Sequence, residues 1–289
     1  MPSRQQIKAR ISSVKNTKQI TKAMQLVAAS RMRKAQEMVG RTRLFNQLAR
    51  ELLTRLRQLV NVNEYELFHT RPVKGRLLII ISSDRGLAGA FNSNILRRYV
   101  QELKADDHAK VKNYSVVIGR QAATFTAKLH DVEVVGVYQN FPDNPGSNEL
   151  LPILGTAVDM FKNGTVDAVD IIYTHYFSSI RQEVAMQRLL PAGFTETPAD
   201  KITEDAEFEP SAGMVLQTAT LRLLEVQLLQ TLLESAASEY SMRMLAMKSA
   251  TDNATDLAND LTLAYNNARQ AAITQELAEI TGGTEALND

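Results

Sequence analysis

The chain has 289 residues, of which 22% are charged, and its formal net charge of +1 comes from 33 Lys and Arg against 32 Asp and Glu. It has no cysteine, which excludes a disulfide framework, thiolate catalysis and Cys-ligated zinc or iron–sulfur sites. The longest uninterrupted apolar run, Leu77 to Ile81, is far shorter than the roughly 20 residues that a membrane-spanning helix needs. We therefore expect any membrane association to be peripheral.

The charge is divided unevenly along the chain. Residues 1–60 hold 14 Lys and Arg against two acids, Glu37 and Glu51, whereas the rest holds 19 basic and 30 acidic residues. Such a segment indicates a charged partner and leaves nucleic acid, a membrane, a targeting receptor and an acidic protein surface open. The start lacks the apolar core and cleavage site of a secretory signal. A mitochondrial presequence over residues 1–36 is disfavoured because the helical pattern continues past Lys34.

Residues 1–60 are predicted to form one long helix. Ile7, Ile11 and Val14 recur at helical spacing, and then Ile20, Met24 and Val27 resume the apolar stripe slightly out of phase. Further apolar residues continue the pattern at Phe45, Leu48, Leu52, Leu56 and Leu59. At 1.5 Å per residue this helix would be about 90 Å long. A helix of that length requires a partner along its course.

Between residues 73 and 191 short β-rich runs alternate with amphipathic stretches. The predicted strands are Arg76–Ser82, Tyr114–Gly119, Glu133–Val137, Val169–Thr174 and Glu183–Leu190, and the predicted helices are Ser93–Lys104, Arg120–Leu129 and Glu149–Asn163. This alternation indicates a Rossmann-like α/β domain with a largely parallel sheet. An acidic connection follows over residues 192–211.

Residues 212–286 are predicted to form a second long helix, which ends near Thr281 because Gly282 and Gly283 supply a stop. Two long helices at opposite ends of a chain can cover each other only by antiparallel pairing. From residue 249 to the end there is one basic residue, Arg269, against seven acids. We therefore expect the acidic helix to answer part of the N-terminal positive charge. The predicted fold class is α/β with a long antiparallel coiled coil.

The sequence holds no arrangement typical of an enzyme active site. The turn from Ser82 to Asn92 follows the first strand and precedes a helix, where α/β folds often bind phosphate, yet it lacks the G-x-G-x-x-G and P-loop patterns. A structural turn and a ligand site both remain open there. The histidines, His69, His108, His130 and His175, lack metal-ligand spacing. We expect no bound cofactor or metal, and either a non-enzyme or a chain that contributes to an active site elsewhere.

Nucleic-acid binding is the main alternative function. Twelve excess positive charges in residues 1–60 would give a strong, salt-dependent affinity, as in a basic coiled-coil scaffold protein. However, residues 1–36 contain no aromatic side chain for stacking on bases.

Four segments resemble the γ subunit of the F-type ATP synthase, of the bacterial kind. They are residues 10–35 (RISSVKNTKQITKAMQLVAASRMRKA), 83–89 (SDRGLAG, with Ala88 where the family usually has Cys), 242–254 (MRMLAMKSATDNA) and 273–283 (ITQELAEITGG). Thr284 departs from the family, which usually has Ala after the glycines.

The resemblance implies a central-stalk rotor without a catalytic site of its own. In that family the terminal helices form a left-handed coiled-coil shaft inside an α3β3 ring, and the α/β domain is a foot on the membrane c-ring, bound also to ε. Ion flow turns the shaft and drives conformational changes at the β subunits for ATP synthesis, or the reverse for hydrolysis. ATP, ADP and Mg bind to α and β. The implied location is peripheral, at the cytoplasmic face of the bacterial plasma membrane, with no nucleic-acid partner.

The resemblance also implies partner contacts for individual residues, for each of which a solvated or core residue is the alternative. Contacts with the catch loop of β are implied for Arg269, Gln270, Thr274 and Glu276. Contacts with the lever and coupling region of β are implied for Met24, Lys22, Arg31, Arg33 and Arg97. Contacts with the rotor ring are implied for Phe208 and Glu209.

Overall fold

The computed structural model describes residues 4–59, 64–129, 132–193, 209 and 211–285. The elements in chain order are α1 (Arg4–Leu59), a 3₁₀ helix (Glu66–Phe68), β1 (Gly75–Ile81), α2 (Phe91–His108), β2 (Lys112–Ile118), α3 (Arg120–Thr126), β3 (Glu133–Tyr138), α4 (Ser147–Lys162), β4 (Ala168–Tyr176), β5 (Gln182–Leu190) and α5 (Ala212–Glu285). The prediction of an α/β domain between two long terminal helices is confirmed. Every predicted strand and helix of that domain is present, with ends that differ by a few residues.

The sheet has five strands in the order β3-β2-β1-β4-β5. Parallel pairing joins β1 to β2 and β4, and β2 to β3, whereas β5 is antiparallel to β4. The central strand β1 is buried along its whole length because its apolar side chains point to both faces. Leu77 and Ile79 face a core shared with α4 and α5, and Leu78 and Ile80 face a second core shared with α2 and α3. Helix α5 is therefore part of the α/β core.

The chain forms two compact units. The helical unit comprises the described parts of Met1–Ala28 and Arg243–Asp289, and the mixed unit comprises the described parts of Ala29–Met242, including the sheet. Both α1 and α5 are continuous helices that belong partly to each unit. None of the helices in the described part of the chain is apolar enough over its length to cross a membrane.

The two terminal helices are antiparallel, as predicted. The residue pairs that link them are Thr21 with Thr251, Arg31 with Tyr240, Arg43 with Glu234, and Asn46 with Gln230. From one pair to the next, the residue number rises in α1 and falls in α5, as it must in antiparallel helices. In the helical unit, the Oγ1 atoms of Thr21 and Thr251 lie 2.8 Å apart, and both residues are buried.

Most of the buried and half-buried residues of the helical unit follow a seven-residue repeat, and the exceptions are Met24, Arg243, Ala246, Ala250 and Thr255. In α1 the positions that follow the repeat are Ile7, Val14, Thr21 and Ala28 in one set, and Ile11, Lys18 and Gln25 in the other. In α5 they are Met247, Ala254, Leu261 and Ala268, and Thr251, Ala258, Tyr265 and Ala272. A sustained seven-residue repeat imposes a left-handed supercoil. Small and polar side chains fill much of this seam.

The predicted apolar stripe of α1 is only partly correct after Val14, because Met24 is half-buried but its two predicted neighbours are not. Ile20 and Val27 are 60% and 56% exposed, and the seam instead uses Thr21 and Ala28. The reason is that a helix in a coiled coil turns residues spaced 3.5 apart on average toward its partner. This repeat selects Thr21 and Ala28, and the larger apolar residues beside them fall outside it. Further along, Phe45 and Leu48 are likewise exposed, at 56% and 55%.

The predicted helix stop at Gly282 and Gly283 is also wrong, because α5 continues to Glu285. A glycine inside a helix costs about 1 kcal/mol relative to alanine, which weakens the helix without forbidding it. Most of the predicted acidic connection, residues 194–208 and 210, lies outside the described residues, as do the side chains of Leu52, Leu56 and Leu59.

Candidate partner-binding surfaces

The basic side chains near the start of α1 form no ion pair with the described residues of α5. Among the described residues, no carboxylate forms an ion pair with Arg4, Lys8, Arg10, Lys15, Lys18 or Lys22. Three acids of α5 in the helical unit, Asp252, Asp256 and Asp260, are exposed. Among the described residues, the expectation that the acidic helix answers part of the N-terminal charge is therefore met by direct contact only in the mixed unit, where Arg43 of α1 pairs with Glu234 of α5. The helical unit keeps a basic surface for a partner.

The same unit exposes many large apolar side chains. They are Ile20, Leu26, Val27, Leu245, Leu257, Leu263, Ile273, Leu277 and Ile280, with exposed fractions between 41% and 65%. Exposed apolar groups on this scale, rimmed by charges, mark a surface that contacts another molecule. The outside of the helical unit is thus both basic and apolar.

Four of the predicted partner contacts lie near the C-terminal end of α5. The contact of Thr21 with Thr251 places residue 7 of α1 about level with residue 265 of α5. The residues of α5 beyond about 268 therefore extend past Arg4, where α1 begins. Arg269, Gln270, Thr274 and Glu276 are all exposed on this extension. At 100° per residue they cover about 160° of the helix circumference, so one partner surface can contact all four.

The remaining predicted contacts are spread over both units. In the helical unit, Lys22 is exposed and donates to Gln25 Oε1 at 3.3 Å, and Met24 is half-buried. In the mixed unit, Arg33 on α1 and Arg97 on α2 are exposed. Glu209 is exposed, whereas Phe208 lies outside the described residues.

Arg31 differs from its predicted neighbours because it already has partners in the mixed unit. Its Nη1 donates to Tyr240 Oη at 3.3 Å and lies 3.3 Å from Asp143 Oδ2. The Tyr240 hydroxyl donates to the other oxygen of Asp143. The hydrogen bond to Tyr240 raises the pKa of Arg31, and burial raises the pKa of Tyr240 to about 12. These three residues join α1, α5 and the loop between β3 and α4.

Tyr240 should make stability depend on alkaline pH. Its folded pKa of about 12 exceeds its ordinary value of 10.0, so the stability that it contributes is present below pH 10 and is lost as the pH rises toward 12. We expect the urea midpoint of the Tyr240→Phe variant to fall less than that of the parent chain over this range. Tyr265→Phe, at a half-buried position of the same helix, is the control. Equal pH profiles for parent and Tyr240→Phe would contradict the prediction.

The turn after β1 uses its polar groups within the chain. The backbone N–H of Ser83 donates to Asn92 Oδ1 at 3.1 Å, and Asn92 Nδ2 donates to Ser83 Oγ at 2.8 Å. Asp84 Oδ1 accepts the backbone N–H of Arg120 at 3.0 Å. Gly119 lies so close to Ser82 that a Cβ there would come within 2.2 Å of the Ser82 carbonyl oxygen. These contacts favour a structural turn over a phosphate site, and the described residues include no group of three acidic or histidine side chains suited to a metal ion.

Two of these features escaped the sequence predictions. The Thr21–Thr251 contact could have been found from the seven-residue spacing of Ile7, Val14, Thr21 and Ala28. The contacts of Arg31 with Asp143 and Tyr240 have no such signal, because the three residues are far apart in the chain.

Comparisons with known proteins agree over nearly the whole chain. A protein-family model described as ATP synthase matches residues 3–287. The chain is 38% identical over 288 residues to the ATP synthase gamma chain of Stenotrophomonas maltophilia (strain R551-3), which covers 99% of this chain and 100% of the relative.

Solved structures share the fold. The central stalk and c-ring of the Tetrahymena thermophila mitochondrial ATP synthase contain a chain with a TM-score of 0.60 and 23% identity, over 80% of this chain and 99% of that one. A chain of the Euglena gracilis mitochondrial ATP synthase, from a structure of OSCP, F1 and the c-ring, has a TM-score of 0.66 and 19% identity, over 97% and 93%.

Proposed function

Because the chain belongs to the ATP synthase gamma family and is the non-catalytic, central-stalk rotor of that enzyme, we propose that its helical unit turns inside an α3β3 ring. The observation that carries this proposal is the surface of the helical unit. Six cations on it pair with no described carboxylate, and large apolar side chains of the same unit are exposed. A ring whose inner wall is acidic and apolar fits this surface. Long-range charge attraction has little directional preference and suits a contact that must move. The nucleic-acid-binding scaffold gains no support from the comparisons.

The C-terminal extension of α5 is proposed to engage the catch loop of β. Arg269 and Gln270 present donors for carboxylate or carbonyl oxygens, and Thr274 and Glu276 flank them at the two edges of an arc of about 160°. Because the extension runs past the start of α1, a surrounding ring can reach it from several directions.

The lever and coupling region of β is proposed to meet Lys22, Met24, Arg31, Arg33 and Arg97. Lys22, Arg33 and Arg97 are exposed and can meet an acidic segment directly. Arg31 must first exchange Asp143 for a carboxylate of the partner. Since its side chain is 46% exposed, that exchange requires no unfolding.

The α/β domain is proposed as the foot on the c-ring, with ε beside it and with Phe208 and Glu209 among the ring contacts. The complex would then stand at the cytoplasmic face of the bacterial plasma membrane, and this chain would be peripheral to it. ATP, ADP and Mg are proposed to bind to α and β. Ion flow through the ring would turn the chain, and the turning would change the conformations of the β subunits.

Reconstitution tests the proposal. The purified chain should show no ATPase activity, and it should confer cooperative ATPase activity on a mixture of α and β. The three kinds of chain should elute as one complex in size-exclusion chromatography at moderate salt. Failure of this chain to join α and β would contradict the rotor assignment within the ring.

The double substitution Arg269→Ala and Gln270→Ala should lower both ATPase activity and ATP synthesis at least tenfold in the assembled enzyme. Both side chains are exposed in the chain alone, so the urea midpoint of the isolated variant should match that of the parent. Deletion of residues 281–289 serves as the comparison and should reduce activity less. Unchanged turnover in the double variant would remove both residues from the contact with β.

A further inference from the structure

Strand β4 extends beyond its neighbour β1. The last β4 residue paired with β1 is Ile172, opposite Ile80, whereas β4 continues to Tyr176. On the side of β4 that faces β1, pairing ends at Ile172. The buried backbone of Thr174 therefore has no partner strand on that side among the described elements. Buried backbone donors and acceptors are almost always paired, so another element must supply the partners.

Helix α5 supplies them with serine hydroxyls. Ser235 Oγ accepts the backbone N–H of Thr174 at 3.0 Å, and Ser238 Oγ donates to the carbonyl oxygen of the same residue at 3.3 Å. One turn further, Ser241 Oγ donates to the carbonyl oxygen of Ser179 at 2.7 Å. These three serines, spaced by three residues, are no more than 2% exposed, and we name them the serine joint.

The serine joint also holds the hairpin between β4 and β5. Gln182, the first residue of β5, donates from Nε2 to Ser241 Oγ at 3.1 Å and to the carbonyl oxygen of Ser178 at 2.8 Å. Beside the joint, the carboxylate of Glu234, 1% exposed, pairs with His175 of β4 and with Arg43 of α1. Polar contacts thus connect the end of β4 to both long helices of the mixed unit.

The hydroxyls of the joint behave differently from the threonine hydroxyls of α5. Seven of those threonines donate to a carbonyl oxygen of their own helix, namely Thr218, Thr220, Thr231, Thr251, Thr255, Thr262 and Thr274. Such bonds hold nothing outside the helix, although the Thr251 hydroxyl also contacts Thr21 of α1. The joint serines bond to backbone and side-chain atoms of the α/β domain.

We propose that Ser235, Ser238 and Ser241 are positioning residues that lock α5 to the α/β domain against rotation about the helix axis, so that torque passes between them. Apolar packing around Leu228 and Leu232 resists separation of α5 from the sheet but is non-directional. Hydrogen bonds to a fixed backbone depend on distance and angle, so they resist rotation and sliding. This role rests on the rotor function proposed above.

Spin-label distances in the full chain test the lock directly. The chain has no cysteine, so Lys128→Cys on the α/β domain and Gln217→Cys on α5 provide two labelled sites at exposed positions. Replacing all three joint serines by alanine should at least double the width of the distance distribution between the labels. Ser238→Ala alone should give a smaller increase and serves if the triple variant does not fold. Thr231→Val removes a buried hydroxyl that donates within α5 and should leave the width unchanged.

A second measurement uses the chain assembled with α and β. With the ring immobilised and a probe attached at Lys128→Cys, the triple alanine variant should show at least twofold larger angular variance, while its ATPase rate stays within twofold of the parent. The proposed role of the serine joint would be overturned if the distance width and the angular variance did not change. It would also be overturned if the Thr231→Val control changed them equally. Failure to assemble counts against the proposed ring partners instead, because the distance measurement needs only this chain.

Discussion

Replacing Arg76 by Met should destabilise the α/β domain by about 3–5 kcal/mol, because it removes one partner of a buried ion pair. Arg76 lies on β1 with Nε 2.6 Å from Asp170 Oδ2 and Nη1 3.0 Å from Asp106 Oδ1. Asp170 is 1% exposed and has one other cation, Arg188, at 2.5 Å among the described residues. Loss of this guanidinium removes the cation that contacts Asp106. Among the described residues, it leaves Asp170 with Arg188 as its one remaining cation. Urea unfolding of the full chain, followed by circular dichroism, measures the loss.

The loss should be smaller at pH 5 than at pH 8. Burial already raises the pKa of Asp106, and Arg76 holds that rise in check. Without the guanidinium the pKa rises further, so the folded variant favours the protonated acid. A group with a raised folded pKa contributes stability at low pH and loses it as the pH rises through that pKa. A loss that grows toward acidic pH would contradict this account.

Two further variants distinguish the stabilising effect of the buried Arg76 cluster from the effect of removing any positive charge. Arg76→Lys keeps the charge but not the planar fork of donors, so its stability should fall between parent and Arg76→Met. Lys112→Met breaks an exposed pair with Glu133 and should leave the urea midpoint nearly unchanged. If Arg76→Met costs no more than Lys112→Met, the buried cluster does not stabilise the domain.

Much of the fold could be predicted because it depends on local patterns. The strands of the α/β domain are short β-rich runs and the helices between them are amphipathic, so the order of the elements could be predicted. The antiparallel direction of β5 was not, since the alternation of strands and helices indicates only a largely parallel sheet. Arg76, Asp106 and Asp170 come from three different elements, and no spacing in the sequence shows that they meet.

The buried side of α1 was predicted less well than the fold. Sequence periodicity treats every apolar residue on a helix as a candidate for the core, so Ile20 and Val27 were counted in the apolar stripe. The structure shows Thr21 and Ala28 there and leaves the larger side chains exposed. A helix that faces two partners, one in the chain and one outside it, carries two overlapping apolar patterns. Single-sequence reasoning cannot separate them without the pairing register.

The double substitution Ile20→Glu and Val27→Glu should weaken association with the α and β subunits at least 100-fold while leaving the chain folded. Both side chains are more than half exposed, so the isolated variant should keep the urea midpoint of the parent. In a complex that covers these positions, each carboxylate would be buried without a designed partner, at a cost of several kcal/mol. Analytical size-exclusion chromatography of the mixture, over a dilution series, measures the association.

Charge alone must be separated from loss of the apolar contact, because the two glutamates also reduce the positive charge of α1. Asn16→Glu with Gln19→Glu adds the same two charges at exposed polar positions of the helix. Rim charges change association modestly and in a salt-dependent way, so this control should lose at most tenfold and recover at higher salt. If the control associates as weakly as the test variant, the exposed apolar residues contribute little, and the cations alone hold the helical unit in the proposed ring.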